Sequence, residues 1–486
     1  MNLMISSTAK IMGIVLVVLS IAMLPPVLVC MYYGEHHVAA GFGHAIWNGL
    51  IVGAFLFLLL RHYGRSFRVR DGYLILAVCW IAASIFGSLP YIYSGVLANP
   101  VDAFFESASG FSTTGATVFA DVEALPKGIL LWRSTTSWFG ALGILVFAVA
   151  LMPSLGVNGT SVAEYDTPSV KIHVLTPKTK RITSGIILGY SLLTAIETLL
   201  LRLGGMSIYD AFIHSLSTVS TGGFSNYNDG VMHFDSIYIR LVILVFMIIC
   251  GMNFTMFYSF SRRKLKAVTE DTEFKAYWAI MIIAVAIVFA GVYFIDTGWS
   301  HQGEAANSAF QVVSILTTTG FVSDDFTMWP AFCQMILILL MFIGGCSSSS
   351  SSGNKVVRIV VIFKLVLHGI QTRLHSNVIK PVRLNHKDVP NDAVSAVANH
   401  MFLYMIMVFV GAVIMAQENI DMLDCFTSSI SLIGNVGPCF GSVGASGMFG
   451  DFNVFTKFFM SLIMIAGRLE LYTILVLFTP GFWRSE

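Results

Sequence analysis

Charge is scarce in this 486-residue chain: Asp, Glu, Lys and Arg make up 11% of it, against 56% hydrophobic residues. A soluble domain carries about 25% charged residues, so too little polar surface is present to clothe a water-exposed body of this size. Neither sign dominates. With 28 Lys and Arg against 27 Asp and Glu the net charge is +1, which leaves no electrostatic footprint for nucleic acid. Cysteine is sparse as well, and Cys30, Cys79, Cys250, Cys333, Cys346, Cys425 and Cys439 form no CxxC pair. A disulfide framework is excluded, and most of these thiols, lying in or beside apolar runs, read as small buried hydrophobes. HExxH and GxSxG are absent, and Lys355 follows Gly353 and Asn354 rather than a Walker arrangement, so no enzyme signature is present. The sequons at Asn158 and Asn253 fall on segments expected to be cytoplasmic or membrane-embedded and count as chance. No small-residue cleavage site follows the first apolar run, so that run is expected to be retained as a span.

What the chain has in abundance is long apolar runs, at a mean hydropathy of +0.78. Ten segments, roughly 11–32, 44–61, 72–94, 128–152, 183–203, 237–260, 275–296, 331–368, 396–416 and 455–479, read as membrane spans. Between them lie shorter stretches rich in Ser, Thr and Gly at about 100–119, 208–225, 305–322 and 421–438. Too short to cross, these read as re-entrant segments, whose irregular backbone survives at membrane depth where it lines a watery cavity. Most of the Lys and Arg cluster on one side, at Lys10, 61–70, 171–181, 262–275, 355–387 and Arg484. Asp102, Asp210, Asp229, Glu304, Asp324, Asp325 and Asp421 fall on the other. The positive-inside rule then places both termini in the cytoplasm and brings the re-entrant segments in from outside.

The four re-entrant segments resemble one another. Asp102-Ala-Phe104 leads to Ser112-Thr-Thr-Gly115, and Asp210-Ala-Phe212 to Ser220-Thr-Gly-Gly223. Ser308-Ala-Phe310 leads to Thr317-Thr-Thr-Gly320, and Asp424-Cys-Phe426 to Gly434-Asn-Val-Gly437. From the Phe to the last glycine is 11, 11, 10 and 11 residues. Any one such cluster is an ordinary polar connection; four in matching topological positions indicate a repeat. Asp102, Asp210, Asn307 and Asp424 are expected to cap short helices descending into the membrane. Their C-terminal carbonyls would place partial negative charge near the midplane. Four Thr/Gly turns about one axis would make a carbonyl-lined filter of the kind that replaces a cation's hydration shell.

At these residues the chain resembles the Trk/Ktr/HKT superfamily of potassium transporters, and within it the bacterial TrkH uptake subunits. The match extends to Trp132-Arg133, Trp138-Phe-Gly-Ala-Leu-Gly143 and Gly467-Arg468-Leu-Glu470, with Ala141 and Cys439 standing where relatives often have glycine. The resemblance implies an all-α polytopic membrane protein: four span–re-entrant loop–span repeats around a central, potassium-channel-like pore, plus two extra N-terminal spans. It implies a multi-pass protein of the bacterial inner membrane, K+ as the transported ion, no organic cofactor, and a homodimer. It also implies gating by a cytoplasmic TrkA-like RCK protein that binds ATP/ADP or NAD(H), with membrane lipid as the other partner. Carried over by residue, the filter glycines are Gly115, Gly223, Gly320 and Gly437. Thr113, Thr114, Thr221, Gly222, Thr318, Thr319, Asn435 and Val436 line the filter beside them. Gly222 and Gly223 could exchange roles; Gly223 is preferred because a Phe follows it, as one follows Gly320.

Two features suggest a gate. Arg468 lies in an apolar span, where a charge costs about 2.5–3.5 kcal/mol on insertion scales. It reads either as a partner of Glu470 or as a barrier to cations beneath the filter. The run 331–368 is broken by small residues: Gly344, Gly345, Cys346, the six serines Ser347, Ser348, Ser349, Ser350, Ser351 and Ser352, and Gly353. An unwound loop there, from Gly345 to Gly353, could plug or clear a pore, and the resemblance pairs it with Arg468. Serines in place of the family's usual glycines can bond helical carbonyls and alter gate stiffness.

The expected organisation is two leading spans (1–70), a first repeat (71–155), a cytoplasmic connection (156–182), a second repeat (183–262), a third with its interrupted span and cytoplasmic connection (263–394), and a fourth (395–486). The basic stretches 155–182, 262–275 and 369–394 offer a surface for the cytoplasmic partner or, equally, for anionic lipid. The leading function is gated, gradient-driven uptake of potassium. A proton- or sodium-coupled symporter is the alternative, although the filter segments hold no carboxylate and Glu106 is the only near candidate for a relay. A non-conducting membrane scaffold is the further one.

Overall fold

The protein is described by a computed structural model covering residues 2–60, 69–150, 177–254, 256, 269–295, 304–374, 381–385, 387–444 and 447–483. Lys171, Asn158, Arg484, residues 156–176 of the first connection and the basic positions within 61–68 and 257–268 lie outside these.

The helices follow the apolar runs. In chain order they are α1 (Asn2–Ala22), α2 (Leu24–Tyr33), α3 (His36–Leu59), α4 (Val69–Tyr93), α5 (Pro100–Phe111), α6 (Lys127–Ala150), α7 (Pro177–Leu203), α8 (Ile208–Ser220) and α9 (Ile237–Gly251). Then come α10 (Thr272–Ile295), α11 (Glu304–Leu316), α12 (Ala331–Ile343), α13 (Val356–Leu374), α14 (Asn391–Met415), α15 (Met422–Gly434), α16 (Val454–Arg468), α17 (Tyr472–Leu475) and α18 (Pro480–Trp483). Between α13 and α14 an antiparallel hairpin pairs β1 (Arg383–Leu384) with β2 (Lys387–Asp388).

Among the described residues, six helices are long and apolar enough to cross a membrane, or seven if a bent pair counts as one span. Ten were expected. The difference has a physical cause where an apolar run is not one straight helix. The run 331–368 divides into α12 and α13, and the last run bends by 109° between α16 and the segment Tyr472–Phe478. The described part of α9 is 15 residues long, and hydropathy alone does not report where a helix stops.

α5, α8, α11 and α15 are the short helices foreseen in the four polar stretches. Each packs between the long helices that flank it in sequence. Each also touches the helix that closes a neighbouring segment: α5 meets α16, α8 meets α6, α11 meets α9 and α15 meets α12. The contacts therefore run around a closed circle. The leading helices α1–α3 lie outside it and pack on α4 and α6 through a cluster that includes Phe42, Phe86, Phe111 and Trp132.

The expected capping residues are corrected by the structure. Asn99 caps α5 by accepting from Val101 N at 3.0 Å, and Ser207 caps α8 by accepting from Asp210 N at 3.0 Å. Asp421 stands at the cap position of α15. Asp102, Asp210 and Asp424 sit three residues further on, where an acid still meets the positive end of the helix but is free to reach outward. Asp102 pairs with Lys457 at 2.5 Å, Asp210 accepts from Asn226 Nδ2 at 2.9 Å, and Asp424 accepts from Ser442 N at 2.8 Å. Asn307 Nδ2 donates to Asp324 at 3.4 Å. These side chains tie each short helix to the segment that follows it or to its neighbour.

Candidate functional site

The four short helices end in the same way. Thr114 N donates to Ser109 O at 2.9 Å, Gly222 N to Ser217 O at 2.8 Å, Thr319 N to Ser314 O at 2.9 Å and Val436 N to Ser431 O at 2.9 Å. The residue before each donor is left-handed: φ is 56° at Thr113, 54° at Thr221, 55° at Thr318 and 53° at Asn435. Asn tolerates that region, but a β-branched threonine there stores strain of about 1–3 kcal/mol, held only where the surroundings over-determine it. Two residues on, Gly115, Gly223, Gly320 and Gly437 are again at positive φ, 81°, 68°, 76° and 95°. Gly222 is not, so the conformational counterpart of the other three glycines is Gly223.

The glycines are needed for space as well as for φ. A β-carbon on Gly115 would lie 2.6 Å from the carbonyl oxygen of Gly222. On Gly223 it would collide with the Thr319 carbonyl, on Gly320 with that of Val436, and on Gly437 with that of Thr114. Each loop thus lends its carbonyl to the glycine of the loop before it, and the fourth returns to the first. Thr113, Thr114, Thr221, Thr318, Thr319, Asn435 and Val436 are all brought to this ring and are fully buried. Asn435 Nδ2 closes it, donating to Thr114 Oγ1 at 2.9 Å and to Met464 O at 2.9 Å. With helix C-termini and carbonyls converging on one place, the ring presents partial negative charge and excludes bulky side chains.

On one side of the ring opens a funnel of about 450 Å³, lined by Gly115, Gly223, Gly320, Thr117, Arg133, Asp229 and Asp325 among others. Arg133 braces it. Its Nε pairs with Glu106 at 2.7 Å, with side-chain exposures of 3% and 0%, and its guanidinium lies 4.3 Å from the Phe224 ring centroid. Glu106 also accepts from Thr117 Oγ1 at 3.0 Å and from Val118 N at 3.0 Å. The one carboxylate considered as a relay is therefore engaged on every side. Four residues past Asp210, His214 has the matching job, with Nε2 3.1 Å from Ser225 Oγ. Sequence reasoning missed these braces; the signal available was the recurrence of a polar residue four positions after each acid or Asn, at Glu106, His214, Gln311 and Ser428.

On the other side lies the segment between α12 and α13. Gly344 and Gly353, at φ 81° and 78°, press together at its neck, and Val356 N donates to Gly345 O at 2.9 Å. Cys346 N donates to Gly251 O at 2.9 Å and Ser350 Oγ to Cys250 O at 3.0 Å. Ser352 N donates to Thr318 Oγ1 at 2.8 Å, which places the segment directly against the ring. Ser349 Oγ donates to Cys346 O and lies 2.5 Å from Ser351 Oγ, and Phe254 N donates to Ser348 O at 3.0 Å.

Arg468, at the end of α16, is buried at 3% exposure and donates to Ser350 O at 2.8 Å and Ser352 Oγ at 2.6 Å. Its Nε and other terminal nitrogen have no hydrogen-bond partner among the described residues. Glu470 does not pair with it: that carboxylate meets Arg358 at 2.5 Å. Among the described residues no group of three or more His, Cys, Asp or Glu is placed to hold a metal ion.

These features define a helical membrane protein with a carbonyl-rich ring enclosed by its own short helices. The sequence profile of the family described as "TrkH: Cation transport protein" matches residues 39–484. The chain is 33% identical to the Trk system potassium uptake protein TrkH of Halomonas elongata over 98% of each chain. It is 33% identical to that of Escherichia coli strain K12 over 98% of this chain and 99% of the relative. The crystal structure of the potassium transporter TrkH from Vibrio parahaemolyticus superposes with a TM-score of 0.91 at 32% identity, covering 99% of this chain and 100% of that one. The chain belongs to the TrkH cation transport family, a family of transporters and not of enzymes.

Proposed function

We propose that this protein carries potassium inward across the bacterial inner membrane, through a filter formed by the four-loop ring. The observation that carries the reading is the closed exchange of carbonyls and glycines among Gly115, Gly223, Gly320 and Gly437. Backbone oxygens arranged this way substitute for the water shell of a monovalent cation and leave it mobile. The names of the relatives point to the same ion. Thr113, Thr114, Thr221, Gly222, Thr318, Thr319, Asn435 and Val436 complete the lining.

The segment from Gly345 to Gly353 acts as the gate. It lies against Thr318, and Arg468, carrying a positive charge with unfilled donors, holds it there and repels cations. Ion flow follows the electrochemical gradient without a coupled proton or sodium ion, a reading favoured by the engagement of Glu106 with Arg133, Thr117 and Val118. Both termini face the cytoplasm, two copies assemble, and a TrkA-like nucleotide-binding protein opens the gate from that side.

The test is rubidium tracer flux into liposomes holding only this protein, with sodium and caesium as competitors. Uptake that follows an imposed potential and is lost in Gly223→Ser or Gly320→Ser supports the filter. Uptake that requires a proton or sodium gradient at zero potential overturns uncoupled flow. If neither the protein alone nor the protein with its cytoplasmic partner and nucleotide conducts, the transport reading fails in favour of a scaffold.

A further inference from the structure

The gating segment is held at its far end by a carboxylate that the proposed mechanism does not use. Glu273, in the first turn of α10 and 8% exposed, accepts from Ser347 N at 2.6 Å and from Ser347 Oγ at 2.8 Å on the same oxygen, Oε1. A buried carboxylate taking two short hydrogen bonds from one residue is a strong local hold, about twice the strength of a neutral contact for each bond. The first of the six serines supplies the pair from its own N–H and hydroxyl.

The first turn of α10 is itself clamped. Asp271 accepts from Phe274 N at 2.9 Å and so caps the helix. Asn385, the turn residue of the β1–β2 hairpin at φ 50°, donates from Nδ2 to Asp271 at 2.8 Å and accepts at Oδ1 from Thr272 N at 2.7 Å. Asn385 N returns a bond to Thr272 Oγ1 at 3.3 Å. Asn385 and the charged hairpin residues Arg383, Lys387 and Asp388 are exposed, while Leu384 is buried against Val361 of α13 and Val394 of α14. An unbroken run of contacts therefore joins an exposed hairpin to the gating segment: Asn385 to Asp271 and Thr272, one residue along to Glu273, and Glu273 to Ser347.

We propose that Glu273 is the latch residue of the gate, and that the hairpin 383–388, through Asn385, is the handle that sets the latch. The proposal rests on the reading of residues 345–353 as the gate and names the side chains that keep it closed. Displacing the hairpin moves the capped end of α10, separates Glu273 from Ser347 and frees the N-terminal half of the segment, while Arg468 still holds Ser350 and Ser352. Both are positioning residues: neither touches the ion path at the ring.

The experiment is rubidium flux into liposomes with the full chain and no partner protein, comparing wild type with Glu273→Ala, Glu273→Gln, Asn385→Ala and Arg468→Ala. Glu273→Ala, which removes both hydrogen bonds from Ser347, raises flux by at least about tenfold. Glu273→Gln, which keeps an acceptor without the charge, gives a smaller rise. Asn385→Ala raises flux in the same direction. Sodium and caesium competition stays at the wild-type ratio in all three, which a general loss of structure would not allow. If Arg468→Ala raises flux and both Glu273 variants leave it unchanged, the latch is wrong and the gate stands. If no variant changes flux in a conducting wild type, the gate reading itself falls. A response to Glu273→Ala without one to Asn385→Ala removes the hairpin from the chain of transmission.

Discussion

Asn435 Nδ2 reaches Thr114 Oγ1 at 2.9 Å, joining the last short helix to the first across 321 positions. The same amide donates to Met464 O at 2.9 Å, while the backbone of Asn435 is left-handed at φ 53°. One residue therefore ends α15, ties it to α16 and closes the ring. Asn435→Ala removes the amide's bonds to Thr114, Met464 and, at 3.4 Å, Leu432 O, and leaves alanine at a φ that asparagine tolerates better. The expected cost is about 1–3 kcal/mol of stability, with weaker exclusion of sodium; thermal unfolding in detergent and rubidium-against-sodium flux measure the two.

Gly222 and Gly223 are neighbours with different demands. Gly223 is left-handed, and a β-carbon there meets the Thr319 backbone carbonyl; at Gly222 it meets the Ser137 side chain at 2.7 Å with φ in an ordinary region. Gly223→Ala is expected to abolish rubidium flux. Gly222→Ala should retain part of it, since its backbone is in an ordinary region and the added methyl displaces Ser137 of α6 and the Ser220 hydroxyl, not a ring carbonyl. Equal loss in both, with both folded, would contradict the assignment of Gly223 to the ring.

Glu106 and Arg133 form a pair in which both side chains are almost wholly enclosed. Glu106→Gln leaves the guanidinium buried without its counter-charge, at an expected cost of about 3–5 kcal/mol. The predicted result is a lowered unfolding temperature, larger than that for Lys457→Met, whose partner Asp102 retains 21% side-chain exposure. If Glu106 instead relays protons, Glu106→Gln would change the proton dependence of flux and leave stability unaltered.

Arg468→Ala removes the donor to Ser350 O and Ser352 Oγ together with a positive charge beneath the ring. Cation flux without any partner is expected to rise. Arg468→Lys keeps the charge and offers an ammonium in place of the one guanidinium nitrogen that donates to both serines, and should keep flux nearer the wild-type level. Flux that vanishes in well-folded Arg468→Ala would show that the arginine supports conduction rather than blocking it.

Much of this was legible in the residues, for identifiable reasons. The four short helices follow from local signals: an apolar–polar boundary, an acid or Asn at the start and a Ser/Thr/Gly run at the end. The interruption of the run 331–368 follows from Gly344 and Gly345. The capping residues were misplaced by three positions because Asn99, Ser207 and Asp421 are as good caps as the acids that follow them, and the acids' partners lie far away in sequence. Among the described residues fewer straight spans than apolar runs are counted because hydropathy measures composition, and a helix that bends at Glu470 and Leu471, at φ 58° and 25°, keeps its composition.

The sequence by itself determined that the chain lies in a membrane, since a body with so few charges has no other stable solvent. It also determined the four recurring segments, because spacing and glycine placement are properties of short stretches. Only the tertiary structure decided which carbonyl meets which glycine, that Glu106 belongs to Arg133, that Glu470 belongs to Arg358 and not to Arg468, and that Asn385 reaches the first turn of α10. Each of these is a contact between residues brought together by the closing of the ring of helices, and no local pattern encodes the partner of a side chain that lies beyond its own helix.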